Sequence, residues 1–164
     1  MITSKTPWWK GSRGEWYVIA QLALFGLVFF GPSTWFGWPT WTFPHTPLGS
    51  ISSGILLLMG ILLILTGIFR LGRNLTAAPY PKEQSTLVEK GPYQLVRHPM
   101  YSGAILVAFG WAFWVGGWFT IAYAIILFVF FDLKARREEL WLREKFPRYT
   151  EYQKRVNRLI PFLY

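Results

Sequence analysis

Two long runs of the chain carry no Asp, Glu, Lys or Arg: Trp16–Phe69, 54 residues, and His98–Phe131, 34 residues. Helices and strands of a soluble fold need a wet face, so an uncharged run of this length points to burial in lipid. A helix crosses ~30 Å of hydrocarbon with about 20 residues, so each run is too long for one crossing and suits two. The breaks are legible. Residues 31–47, GPSTWFGWPTWTFPHTP, are rich in Gly, Pro, Ser and Thr and read as a loop studded with interfacial tryptophans. Gly116-Gly117, between Trp114 and Trp118, supports a very short reversal. The pattern predicts four spans, roughly 16–31, 49–69, 100–115 and 118–133. Three of them are short, which calls for tilt, local thinning or snorkelling ends.

Composition agrees with this pattern. Of 164 residues, 52% are hydrophobic, 20% aromatic and only 15% charged, against about 25% charged in soluble domains. Every charge falls in 1–15, 70–97 or 132–164. Lys and Arg number three before the first span, none in the 31–48 loop, five between spans two and three, none at the Gly-Gly turn and nine after span four. By the positive-inside rule both termini and the 70–97 segment are cytoplasmic, which makes a multi-pass integral membrane protein. The net charge of +9 then reads as topology plus attraction to anionic headgroups, and no nucleic-acid partner is called for.

The expected layout is a single domain over 1–164: an interfacial N-terminal segment (1–15, with Trp8, Trp9, Lys10 and Arg13), spans one and two (16–69), a cytoplasmic connector (70–99), a helical hairpin (100–133) and cytoplasmic helices (134–164). The fold class is all-α, with about four transmembrane helices and a cytoplasmic C-terminal helical cap. No small-residue cleavage site follows the first apolar run, so a cleavable signal peptide is not expected. The absence of cysteine excludes disulfides, thiolate metal sites and a cysteine nucleophile. The only histidines are His45 and His98, so no metal-ligating pair is expected. Asn74-Leu75-Thr76 matches a glycosylation sequon, but on a cytoplasmic connector it stays bare.

Chemistry therefore belongs to 70–101 and 132–164. In GPYQLVRHPMYSG (91–103), Pro99 suits the first turn of a helix because its missing N–H would be unpaired there. Arg97 and His98 then stand at a helix N-terminus on the membrane surface, where the helix dipole favours an anionic group. An Arg-His pair beside a span is more often a plain interfacial anchor. Its company weighs against that: Tyr93 and Tyr101 flank it, and Glu138 and Glu139 of RREEL (136–140) leave span four where a hairpin brings them beside the start of span three. The run FPRYTEYQKRVNRLIPFLY places Phe146, Tyr149 and Tyr152 at helical spacing, with Val156, Leu159 and Ile160 continuing an apolar face of an amphipathic surface helix.

Together, STLVEKGPYQLVRHPMYSG and RREELWLREKFPRYTEYQKRVNRLIP resemble the integral-membrane isoprenylcysteine carboxyl methyltransferase and phospholipid methyltransferase family, over about residues 72–164. The resemblance implies S-adenosylmethionine as cofactor, with S-adenosylhomocysteine as product. It places Ser85, Thr86, Leu87 and Val88 along the adenosine, and Tyr93, His98, Pro99, Met100 and Tyr101 close to the cofactor. Glu138 would meet its ammonium, with Glu139 adjacent. A substrate-side cation is implied just before the glutamates, where Lys134, Arg136 and Arg137 are all candidates; Arg137 and Arg97 are the residues expected to act on the acceptor. Ala78 stands where a family member offers a polar cofactor contact. The C-terminal helix would be a lid, with Arg155 or Arg158 reaching the cofactor's carboxylate.

The residue inventory suits such a ligand on its own terms. A sulfonium, an amino-acid end and a nucleoside need aromatic faces, an acid and a cationic partner, and the two blocks supply each. Partners are then a lipophilic small-molecule acceptor and membrane lipids, with oligomeric state open. Two other readings stand beside this one. RHPxY also occurs in NADPH-linked membrane sterol reductases, and a lipid-binding protein without activity would keep the same fold. The acceptor's identity, carboxylate or amine, is open.

Overall fold

The computed structural model describes residues 14–35, 39–40, 46–76 and 80–164. The N-terminal residues Trp8, Trp9, Lys10 and Arg13, together with His45 and Ala78, lie outside them. The described residues form five α-helices: α1 (Glu15–Phe30), α2 (Pro47–Leu71), α3 (Pro99–Val115), α4 (Trp118–Lys145) and α5 (Tyr149–Arg155). Among the described residues there is no strand, only one isolated parallel bridge between Val96 and Asn157. α2 and α4 are long and apolar enough to cross a membrane, and α1 and α3 are shorter apolar helices. Large side chains such as Leu58, Met59, Leu62 and Phe69 stand exposed along α2, as a lipid-facing helix requires.

Two helices start on a clear local signal. Thr46 caps α2 by accepting the Gly49 N–H at 3.1 Å, and Pro47 occupies the first turn. Pro99 opens α3, and Gly116 ends it in the left-handed conformation at φ 68°. The Gly116-Gly117 reversal is thus as tight as the sequence predicts. It leaves no room at Gly117, where an added Cβ would clash with the Ser33 carbonyl of the α1–α2 loop.

The helices pair antiparallel. α2 and α3 meet through glycine: a Cβ on Gly60 would lie 2.6 Å from the Gly103 oxygen, one on Gly103 2.6 Å from the Gly60 oxygen, and one on Gly110 2.9 Å from Leu57. Backbones approach this closely only where side chains are missing, and such packing drives helix association where lipid removes the hydrophobic effect. α1 lies along α4 through aromatic pairs, Tyr17–Phe130 at 6.0 Å and Phe25–Phe131 at 6.1 Å. The core between them holds Val28, Ile105, Ala108, Ala112, Leu127 and Phe131, joined by Leu159 from the C-terminal segment.

α4 runs unbroken to Lys145, carrying the RREEL block one to two turns past its apolar part, on the continued axis of span four. One feature departs from the sequence reading. The C-terminal helix stops at Arg155, and Val156 onward does not continue its apolar face. The cause is visible at Arg97: its guanidinium donates to the carbonyls of Gln153 and Val156, while the Arg97 and His98 N–H groups donate to Asn157 O at 2.8 Å and Arg158 O at 3.1 Å. Carbonyls at 156–158 serve these donors because the chain has left the helix. Leu159 is buried against α3, and Ser102 Oγ donates to its carbonyl at 2.7 Å.

Candidate active site

The start of α3, the last polar turns of α4, the connector and α5 surround one cavity of about 460 Å³, within the range of small-molecule sites. Its wall includes Ser85, Thr86, Leu87 and Val88 of the connector, Tyr93 and the run from Arg97 to Tyr101, and Lys134 and Glu138 of α4. Towards the apolar helices it is bounded by Phe25 of α1 and Ile64 and Ile68 of α2. One end is therefore polar and the other oily.

The ring of His98 lies parallel on Tyr101 at 5.3 Å, and Tyr101 lies on Phe131 at 4.8 Å, which fixes the orientation of both. Tyr101 donates its hydroxyl proton to Glu138 Oε2 at 2.8 Å, and His98 Nδ1 stands 3.7 Å from the same oxygen. Glu138 keeps about a quarter of its side chain exposed. It is the carboxylate on the cavity wall.

Glu139, expected beside the cofactor, does not line the cavity. Its side chain is 2% exposed, and its two oxygens accept from Arg97 Nε at 2.7 Å, His98 Nε2 at 3.3 Å, Gln153 Nε2 at 3.0 Å and Arg158 Nε at 3.2 Å. Successive residues on a helix point about 100° apart, which turns Glu139 towards Arg97 and Arg158 while Glu138 faces the cavity. Burial pushes the Glu139 carboxyl up, but the hydrogen bonds and positive charge of His98 and Arg97 outweigh it and bring it down to about 2.

The three candidate cations separate cleanly. Lys134 is 1% exposed and lines the cavity, with Nζ 2.6 Å from Gln21 Oε1 of α1 and 5.1 Å from the centre of the Tyr101 ring. Arg136 turns outward to Asp132 at 2.7 Å. Arg137, expected to act on the acceptor, is exposed and lies over Trp141 at 4.8 Å, away from the cavity wall. Arg97 touches the wall, but its Nε and one terminal nitrogen are committed to Glu139 and the carbonyls of Gln153 and Val156. Arg155 and Arg158, expected to reach a cofactor carboxylate, pair with Glu89 at 2.8 Å and with Asp132 and Glu139 at 3.0 and 3.2 Å.

Two residues escaped the sequence reading. Gln21 sits in an apolar run, where a lone glutamine was its only signal, and it meets Lys134 from the far side of the cavity. Tyr149 was read as one position on an apolar helix face. It is 1% exposed and lines the cavity, and its hydroxyl, like that of Tyr93, has no hydrogen-bond partner among the described residues. A buried hydroxyl without a partner costs about 1–3 kcal/mol, so both mark places where a ligand's polar atoms would be welcome. Burial, then the nearby glutamate charge, raises the pKa of each well above the ordinary tyrosine value, so both stay protonated donors.

This fold and site define an all-helical integral membrane protein with a cavity at the polar end of its helices. The phospholipid methyltransferase family model matches residues 48–149, and the chain belongs to that family. It is 36% identical over 84 residues to a probable protein-S-isoprenylcysteine O-methyltransferase of Oryza sativa subsp. indica, covering 50% of this chain and 44% of the relative. It is 31% identical over 153 residues to the cobalt-zinc-cadmium resistance protein CzcN of Cupriavidus metallidurans, covering 92% of this chain and 63% of that one. Its fold is shared with a solved eukaryotic intramembrane Ras methyltransferase, an isoprenylcysteine carboxyl methyltransferase, at a TM-score of 0.63 and 22% identity, over 99% of this chain and 55% of that one. The chain spans about half the length of the rice relative.

Proposed function

We propose that the protein transfers a methyl group from S-adenosylmethionine to a carboxylate oxygen of a lipophilic acceptor, at the cytoplasmic membrane interface of a four-span helical domain. The observation that carries this reading is the pairing of Glu138 and Lys134 on one wall of a single cavity, one turn apart on α4, with Tyr101 in contact with both. The residues fit the donor. Glu138 would hold its ammonium, the unpartnered hydroxyls of Tyr93 and Tyr149 would donate to its polar atoms, and Ser85, Thr86, Leu87 and Val88 would lie along the nucleoside.

S-adenosylmethionine supplies an electrophilic methyl on a sulfonium. Attack by a carboxylate reduces charge on both partners, so the protein's work is alignment and exclusion of water, with no general acid needed. Lys134, held by Gln21 and against Tyr101, would orient the acceptor's carboxylate at the end of the cavity next to the apolar helices. Phe25, Ile64 and Ile68 would take its hydrocarbon part. A fixed ammonium there disfavours an acceptor amine, because methylation moves the sulfonium's positive charge onto the amine nitrogen beside it. Arg97 and Glu139 hold the α3 start against the C-terminal segment and would act on the reaction through His98, which stands between Glu139 and Glu138.

The test incubates membranes containing the protein with donor labelled in its methyl group, then extracts the lipid phase. Label recovered in lipid and released as methanol by mild base supports a methyl ester. Base-stable label would turn the reading to an amine. NADPH consumption without methyl transfer would overturn it.

A further inference from the structure

Asn74 is the first residue of the sequon that the sequence singled out, and its side chain is already in use. Its Nδ2 donates to Thr86 O at 3.1 Å and to Thr86 Oγ1 at 3.3 Å, and its Oδ1 accepts from Thr86 N at 3.3 Å. The amide pairs with both polar groups of one residue's backbone, as a neighbouring strand would. Asn74 belongs to the short 3₁₀ turn that follows α2. A second grip comes from the other end of the molecule. Lys145, the last residue of α4, donates to the carbonyls of Lys82 and Glu83, the latter at 2.9 Å, and to Ser85 Oγ at 3.0 Å. Three donors meet three acceptors, so the ammonium is fully used.

The segment so held is the cavity's connector wall. Residues 80–90 form no helix or strand, so no ladder of backbone bonds fixes their position. Within the segment, Ser85 N and Ser85 Oγ close a turn on Lys82 O at 3.0 and 2.7 Å. Lys82 adds a bond to Arg73 O at 3.0 Å. Asn74 grips Thr86 inside the Ser85–Val88 wall, whereas Lys145 grips the turn from Lys82 to Ser85 that leads into it. Phe146, next to Lys145, also lines the cavity.

We propose that Asn74 and Lys145 are positioning residues for the donor pocket, Asn74 setting the register of the Thr86 wall and Lys145 serving as the latch that opens for donor exchange. This rests on the reading of the cavity as a donor site. A polar donor must enter and its product leave at every turnover, and the wall without regular structure is the part that moves at least cost. The Lys145 bonds run from one flexible side chain to an outer turn, so they break without disturbing α4. The Asn74 bonds run from a short side chain next to α2, so they return the wall to one register.

The experiment uses the full chain in detergent micelles, with radiolabelled S-adenosylhomocysteine as probe, and compares Asn74→Ala, Lys145→Met and Lys145→Arg with wild type. Release rate and affinity are read beside amide hydrogen exchange of residues 80–90. Loss of the three modest hydrogen bonds to Thr86 predicts at least about tenfold weaker binding in Asn74→Ala. Lys145→Met releases the probe about tenfold faster, Lys145→Arg restores slow release, and both Asn74→Ala and Lys145→Met raise exchange in 82–88 while α3 stays protected. Wild-type release and exchange in Asn74→Ala and Lys145→Met overturn the proposal, as does faster release without raised exchange. If wild type fails to bind the probe, the donor reading falls, and exchange alone then decides the clamp: raised exchange in 82–88 upholds it and unchanged exchange overturns it.

Discussion

Arg97 Nε lies 2.7 Å from Glu139 Oε1, and both side chains are more than nine-tenths buried. This pair joins the start of α3 to the polar part of α4, and Arg97 carries the junction on to the carbonyls of Gln153 and Val156. His98, Gln153 and Arg158 complete the ring of donors around Glu139. Breaking a buried pair by removing one partner leaves the other charge uncompensated, at a cost of about 3–5 kcal/mol. Glu139→Ala is expected to lower the thermal midpoint in detergent sharply, and Glu139→Gln less so because it keeps hydrogen-bonding atoms. A midpoint equal to wild type in Glu139→Ala would remove the pair from the stability of the fold.

The same carboxylate gives a pH signature. Glu139 is held at about 2 in the fold against an ordinary value of 4.5. A depressed folded pKa means that its contribution is complete above pH 4.5 and is lost as pH falls from there through about 2. Wild type should therefore lose more stability than Glu139→Gln across that window, with parallel behaviour above pH 5. Melting curves recorded between pH 7 and 3 check this, and equal losses in the two proteins would count against it.

Lys134 is the cation on the cavity wall, so Lys134→Met should reduce kcat/KM for the acceptor by about a hundredfold, the scale of a misaligned reacting group. Donor affinity should hold. Arg136→Met and Arg137→Met, whose charges face outward, should leave both constants near wild type. Steady-state kinetics with each substrate varied in turn separates the three. A loss confined to Arg137→Met would return the acceptor role to that residue.

Helix packing makes its own forecast. Gly60→Ala and Gly103→Ala each place a methyl 2.6 Å from a backbone oxygen of the facing helix, so α2 and α3 must move apart. Overpacking of this kind costs about 1–3 kcal/mol. Gly54→Ala, on the same helix with nothing within 4 Å of the added atom, is the matched control and should be neutral or slightly stabilising. Thermal melts of the three variants test the ordering.

How much of this could be read in advance varies with the physics involved. Charge-free runs, Pro99 and Gly116-Gly117 mark helix limits because lipid, proline and left-handed glycine act locally, and α3 begins and ends within a residue of its predicted bounds. The C-terminal helix was over-extended because Phe146, Tyr149, Tyr152 and Val156 keep helical spacing whether or not a distant arginine claims the carbonyls at 153 and 156. Glu138 and Glu139 look alike in sequence, and only the direction of each side chain from α4 tells the cavity acid from the buried one. Choosing Lys134 over Arg136 and Arg137 likewise needed the facing Gln21, 113 positions away.

On the proposed function, one cavity with Glu138 as its acid takes a sulfonium nucleotide. Isothermal calorimetry of the detergent-purified chain with S-adenosylhomocysteine, repeated on Glu138→Gln and with NADPH, tests it most directly. Binding of S-adenosylhomocysteine by wild type, at least tenfold weaker binding by Glu138→Gln, as loss of a charge-assisted contact implies, and no heat with NADPH are the predicted result. Tight NADPH binding with no response to S-adenosylhomocysteine, or an affinity for S-adenosylhomocysteine indifferent to residue 138, would contradict it.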